Sequence, residues 1–158
     1  MKKDVLDRLP NHERAWVRLF QTFNALERAR ELELGKVGLT TAEAAVLFAL
    51  KTAKEPTTPA KLARWLYREA HTMSGLLNRM EKDGLVKKSK DLEAKNQIRV
   101  SLTEKGEEAL RRQNDARSSV NVTSCLSDKE FGVLMVCSDK LHDKAIELIR
   151  KMQPGPWE

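Results

Sequence analysis

The sequence predicts a mainly α-helical chain with one small β hairpin in its second half. Three observations carry this. Gly and Pro number only 7 and 5 in 158 residues, so few points break a helix. Apolar residues recur at steps of three and four over most of the chain. Between Gly84 and Thr103 that period gives way to two short alternating segments.

The elements follow in order. HERAWVRLFQTFNALERARELEL carries Trp16, Leu19, Phe23, Leu26 and Ala29 as one stripe, which predicts a helix of more than five turns stopped by Gly35 and Gly38. A helix that long displays more apolar surface than a small core can cover, so the stripe predicts contact with a second chain. Thr40 with Glu43 makes a capping box for the next helix, whose inward face is Val46, Leu47 and Leu50. KEPTTP is a turn. Thr58 caps a short helix with Pro59 in its first position and Leu62 and Leu66 facing inward. A helix over 70–83 follows almost at once, with Met73, Leu76, Leu77 and Met80 on one side and Gly84 as its stop.

LVKKSK and IRVSL then read as a hairpin, with the polar tip DLEAKNQ between them. Thr103 caps a helix over EKGEEALRRQNDA, which weakens in SSVNVTS, where β-branched and small polar residues collect. Ser127 and Glu130 form a second capping box. The helix they open runs to about residue 151, with Phe131, Leu134, Cys137, Leu141, Ala145 and Leu148 along one face. Cys137 is therefore expected to be a buried, inert thiol. Helix, turn, helix and basic hairpin is the order of a winged helix-turn-helix. The expected organisation is a first helical region at 1–38, a winged helix-turn-helix at 39–102 and closing helices at 103–158. The two outer regions pair across a two-fold axis in a homodimer.

Charge narrows the function. Lys and Arg total 29 against 23 acidic residues, a formal net charge of +6. The excess is local: Lys87, Lys88, Lys90, Lys95 and Arg99 lie on the hairpin against Asp91 and Glu93. No apolar run is long enough to span a bilayer, and no secretory leader is readable, so the chain is expected in the cytoplasm with no membrane partner. His12, His71 and His142 fall in three different elements with no nucleophile motif beside them, and Cys125 and Cys137 lack zinc spacing. Neither an enzyme nor a cofactor is expected.

Set on a wheel at 100° per residue, the helix over 70–83 turns His71, Gly75, Asn78 and Lys82 away from its apolar side, with Thr72, Ser74 and Arg79 on the flanks. A major groove admits one helix and presents base edges to such side chains. Arg79 can grip guanine or a phosphate, Asn78 can pair with adenine, and Gly75 lets the backbone approach closely, at a cost in helix stability. Lys87, Lys88, Lys90, Lys95 and Arg99 can hold phosphates or enter the minor groove. An alternative stays open, in which the same fold assembles proteins and the basic hairpin is incidental. Trp16, Phe20, Phe23 and Trp65 are candidates to line a cleft for a small aromatic molecule.

LTTAEAAVLFAL, LARWL, HTMSGLLNRMEKDGLV and IRVSLTEKG, spaced as they are, resemble the winged-helix core of the MarR family of transcription regulators. The outer helices resemble that family's dimerisation frame. The resemblance implies a homodimer on a pseudo-palindromic DNA duplex, usually a repressor released by a small aromatic ligand. It assigns the reading surface to His71, Thr72, Ser74, Gly75, Asn78 and Arg79 with the wing. At the wing tip the family carries an aspartate followed by two arginines, where this chain has Ala94, Lys95 and Asn96. The carboxylate brace is thus absent, and Lys95 lacks the planar fork of arginine. YREAHTMSGLLNRMEKDGLVKKSKDLEAKN also resembles family members associated with reductive dehalogenase genes.

Overall fold

The computed structural model describes residues 8–90, 97–115 and 122–152. Among the described residues, six α-helices and one hairpin follow the predicted order: α1 (Asn11–Lys36), α2 (Thr41–Thr52), α3 (Pro59–Trp65), α4 (Ala70–Lys82), β1 (Val86–Lys90), β2 (Ile98–Leu102), α5 (Glu104–Asp115) and α6 (Asp128–Met152), with a 3-10 turn at Val122–Cys125 before the last.

Local chemistry sets the boundaries. The Thr40 hydroxyl accepts from the Glu43 N–H, and the Glu43 carboxylate accepts from the Thr40 N–H. Thr58 caps α3 by accepting from the Lys61 N–H, with Pro59 supplying the preset φ of a first turn. Ser127 and Glu130 close the same reciprocal box on α6. Gly84 takes a φ of +72° just beyond α4, the left-handed position that turns the chain into β1.

The core belongs to the middle of the chain. Val46 and Leu47 from α2, Leu62 from α3, Met73, Leu77 and Met80 from α4, and Val86 from β1 are almost wholly buried against one another. Ala109 and Leu110 extend that core into α5, so the lobe runs past the hairpin. β1 and β2 pair antiparallel from Val86–Leu102 to Lys90–Ile98. A third segment joins them: the Val100 N–H donates to the Thr57 carbonyl at 2.8 Å, a bridge inside what the sequence reads as a plain turn.

The start of α5 locks the lobe's far end. The Thr103 hydroxyl accepts from the Gly106 N–H and donates to the Gly84 carbonyl at 2.6 Å, fastening α5 to the turn after α4. A Cβ on buried Gly106 would overlap the Leu85 carbonyl oxygen, so only glycine fits this approach.

The two long helices contrast with this lobe. α1 buries only Glu33 and Leu34, in its last turn, and α6 buries none of its 25 residues. Trp16 and Phe23 on α1 are 72% and 60% exposed, and Phe131, Leu134 and Leu141 on α6 are open as well. Cys137 shares that exposure. The sequence expectation of a buried thiol is corrected for the single chain, because no described residue of the same chain covers that face of α6. Among the described residues no helix is long and apolar enough to cross a membrane.

Candidate nucleic-acid interface

α4 divides cleanly by chemistry. Met73, Leu76, Leu77 and Met80 are buried, while His71, Thr72, Ser74, Gly75, Asn78, Arg79 and Lys82 are all exposed. Nothing stands within 4 Å of the place where Gly75 would carry a Cβ, so packing within the chain does not demand glycine there. The small residue leaves a low spot on the exposed face of the helix.

The polar groups on this face are partly held already. The Ser74 hydroxyl donates back to the Ala70 carbonyl at 2.9 Å, which leaves it free to accept. The Thr72 hydroxyl lies 3.3 Å from His71 Nε2. Arg79 and Lys82, three residues apart, project from the same side near the helix C-terminus, where positive charge is favourable.

The hairpin stands beside this helix. Lys87 and Lys90 are exposed, and Arg99 is half-buried. Lys88 turns inward instead. Its ammonium lies 3.1 Å from Glu81 Oε2 and donates to Asn78 Oδ1, and its N–H donates to Glu81 Oε1 at 3.1 Å. Glu81 and Asn78 are one helical turn apart, so one lysine on β1 bridges both. The hydrogen bond from the Lys88 side chain holds the Glu81 carboxyl below the usual carboxylate range, against a smaller opposing effect of desolvation. Lys95, Ala94 and Asn96, the wing-tip residues singled out in the sequence, lie outside the described residues.

Sequence reasoning did not single out Glu81. The available signal was an acid seven residues ahead of a lysine across a Gly84 turn, which places both at the same end of the helix-hairpin corner.

A second site lies between α3, the turn after it and α6. A cleft of about 870 Å³ is lined by Arg64, Trp65, Tyr67, His142, Ile146 and Arg150, among others. Tyr67 holds a φ of +50° in that turn, a left-handed conformation uncommon for a bulky residue. Its hydroxyl lies 2.8 Å from His142 Nε2, tying the winged lobe to α6. Trp65 meets Phe48 at a ring distance of 6.3 Å. Of the four aromatics picked out from sequence, only Trp65 belongs to this cleft. Trp16, Phe20 and Phe23 stay on the open face of α1, whose buried residues are Glu33 and Leu34 in its last turn.

The sequence pattern described as "Winged helix DNA-binding domain" matches residues 39–106. An uncharacterized HTH-type transcriptional regulator of Bacillus cereus strain ZK / E33L is 31% identical over 130 residues, 80% of this chain and 86% of its own length. The ligand-free crystal structure of the organohalide sensing RdhR-CbdbA1625 transcriptional regulator superposes with a TM-score of 0.78 at 31% identity, over 92% of this chain and 87% of that one. Its 2,4-dichlorophenol bound form gives 0.79 over the same shares at the same identity. A mutant MarR from E. coli complexed with operator DNA shares the fold, with a TM-score of 0.72 at 21% identity over 83% of this chain and 96% of that one. A helix with one buried and one open polar face, a basic wing held against it and relatives of this kind along most of the chain converge: the chain belongs to the MarR family of winged-helix transcription regulators and is a sequence-specific DNA-binding regulator, not an enzyme.

Proposed function

We propose that two copies of this chain pair through α1 and α6 and present their two α4 helices to successive major grooves of a pseudo-palindromic operator, as a cytoplasmic repressor released by a small aromatic effector. The observation that carries this is the division of α4, whose apolar residues are spent on the lobe while its whole polar row stays open. The exposed stripes of α1 and α6 supply the pairing surface, since apolar faces this extensive are stabilised by covering. His71, Thr72, Ser74, Gly75, Asn78 and Arg79 face the bases, and Lys82, Lys87, Lys90, Lys95 and Arg99 serve the phosphates. The effector takes the cleft beside Trp65, its ring against indole and its polar edge toward Tyr67 and His142. A relative bound to 2,4-dichlorophenol supports a phenol of that kind.

Selection of bound duplex from a random pool tests the reading. A palindromic consensus should emerge, and Arg79→Ala should weaken binding to it by about 1–3 kcal/mol while the fold stays intact. A chlorinated phenol should release the complex. Protein that enriches no sequence would refute the DNA-reading role and leave the protein-assembly alternative.

A further inference from the structure

We propose that Lys88 and Glu81 lock the Asn78 side-chain amide so that α4 presents only hydrogen-bond donors at this point and reads guanine there rather than adenine. This deepens the proposed function and rests on α4 being the helix that enters the groove.

An asparagine amide carries one oxygen that accepts and one NH2 that donates, and a lysine ammonium only donates. Asparagine pairs with adenine by using both ends, accepting from N6 and donating to N7. In this chain the Lys88 ammonium already donates to Asn78 Oδ1. The amide cannot turn over to bring its NH2 against Lys88, because two donors would then face each other across a full positive charge. Nδ2 is the end left to offer from this exposed side chain.

Lys88 is itself fixed. Its ammonium pairs with Glu81 Oε2, and its backbone N–H donates to the other oxygen of the same carboxylate. The side chain is only 18% exposed, unlike the open lysines elsewhere on the hairpin. The oxygen of Asn78 has a second acceptor site, but an adenine amino group approaching it would meet the Lys88 charge. What the corner displays is the Asn78 NH2 beside the Lys88 positive charge. Guanine offers two adjacent acceptors, N7 and O6, in the major groove. Adenine offers one acceptor and one donor and leaves a donor opposed to a donor.

Glu81 acts through Lys88, so it is a positioning residue. Removing its negative charge beside the duplex would strengthen attraction to every phosphate. A role in positioning adds a loss of discrimination that charge removal alone does not produce.

The test measures affinity of the full-length protein for the selected operator and for its single-base variants, with wild type, Asn78→Ala, Lys88→Met and Glu81→Gln. The base pair read by Asn78 is the one whose discrimination disappears in Asn78→Ala. At that pair the wild type should prefer guanine over adenine by about tenfold or more. Lys88→Met frees the amide oxygen while keeping the length of the side chain. It should cut the preference to about twofold or turn it toward adenine, beyond any uniform loss from the missing charge. Glu81→Gln should bind random duplex at least as tightly as wild type yet discriminate less at the same pair. Wild type preferring adenine there, Lys88→Met keeping the full guanine preference, or Asn78→Ala altering no position would each overturn the lock and leave the regulator reading intact. A wild type without base preference anywhere would overturn both.

Discussion

The winged lobe and the pair of long helices solve the same problem in opposite ways. The lobe hides its apolar residues within one chain: Leu47, Leu62, Met73, Leu77 and Met80 are almost wholly buried in a single core that also takes in Leu34, Val100 and Leu110. The long helices have equally regular apolar stripes and cover almost none of them. Regular amphipathic spacing therefore identifies a helix in both regions but says nothing about which chain supplies the other half of the contact. The lobe closes its apolar surface within one chain, whereas the frame leaves its own open, as the proposed pairing requires.

Charge placed on the long helices should have the largest effect. Phe23→Glu combined with Leu134→Glu should weaken self-association by about 4 kcal/mol, from two central apolar positions at roughly 2 kcal/mol each. Sedimentation at micromolar concentration should show a single chain whose helical circular dichroism is otherwise kept for the lobe. An unchanged dimer would place the pairing surface elsewhere.

Next comes the lobe's own tightest point. Gly106→Ala drives a methyl group into the Leu85 carbonyl, and the backbone there is pinned by Thr103. Overpacking of this kind should cost about 3 kcal/mol in thermal or denaturant unfolding. A cost below about 1 kcal/mol would mean that α5 slides freely on the hairpin.

Gly75→Ala gives the smallest effect and the opposite sign. A Cβ there meets nothing in the chain, so helix propensity alone should raise stability by about 0.5–1 kcal/mol. DNA affinity should fall in the same variant if the low spot receives the duplex as proposed. A variant both more stable and equally tight on the operator would show that Gly75 does not approach DNA.

Acid should leave the wing clamp in place over the neutral range. Glu81 has a folded pKa below its ordinary value, so the clamp's contribution is present above the ordinary carboxylate range and is lost as pH falls through the lowered one. Base discrimination at the Asn78 position should accordingly be flat across neutral pH.

Much of this was legible because it is local. The capping boxes at Thr40–Glu43 and Ser127–Glu130, Pro59 in the first turn of α3 and the Gly84 stop each need only three or four neighbouring residues. The exposed row of α4 follows from a period of 3.6 alone. What stayed hidden depends on where separate elements meet. The Thr57–Val100 bridge joins residues 43 positions apart. Tyr67 and His142 are 75 apart. Lys88 reads in sequence as one more basic wing residue, and only the angle between β1 and α4 turns it toward Glu81 and Asn78. Trp16, Phe20 and Phe23 are open in the single chain, and spacing alone cannot distinguish a face covered by a partner from one that lines a ligand cleft.

In the proposed regulator two lobes read DNA together, held by the paired long helices. Native mass measurement of the complex with the selected duplex tests it most directly, comparing the full palindrome with a single half-site of equal length. Two chains per full palindrome are expected, with half-sites about one helical turn apart and a much weaker complex on the half-site alone. One chain per duplex, bound as tightly to the half-site as to the palindrome, would contradict it.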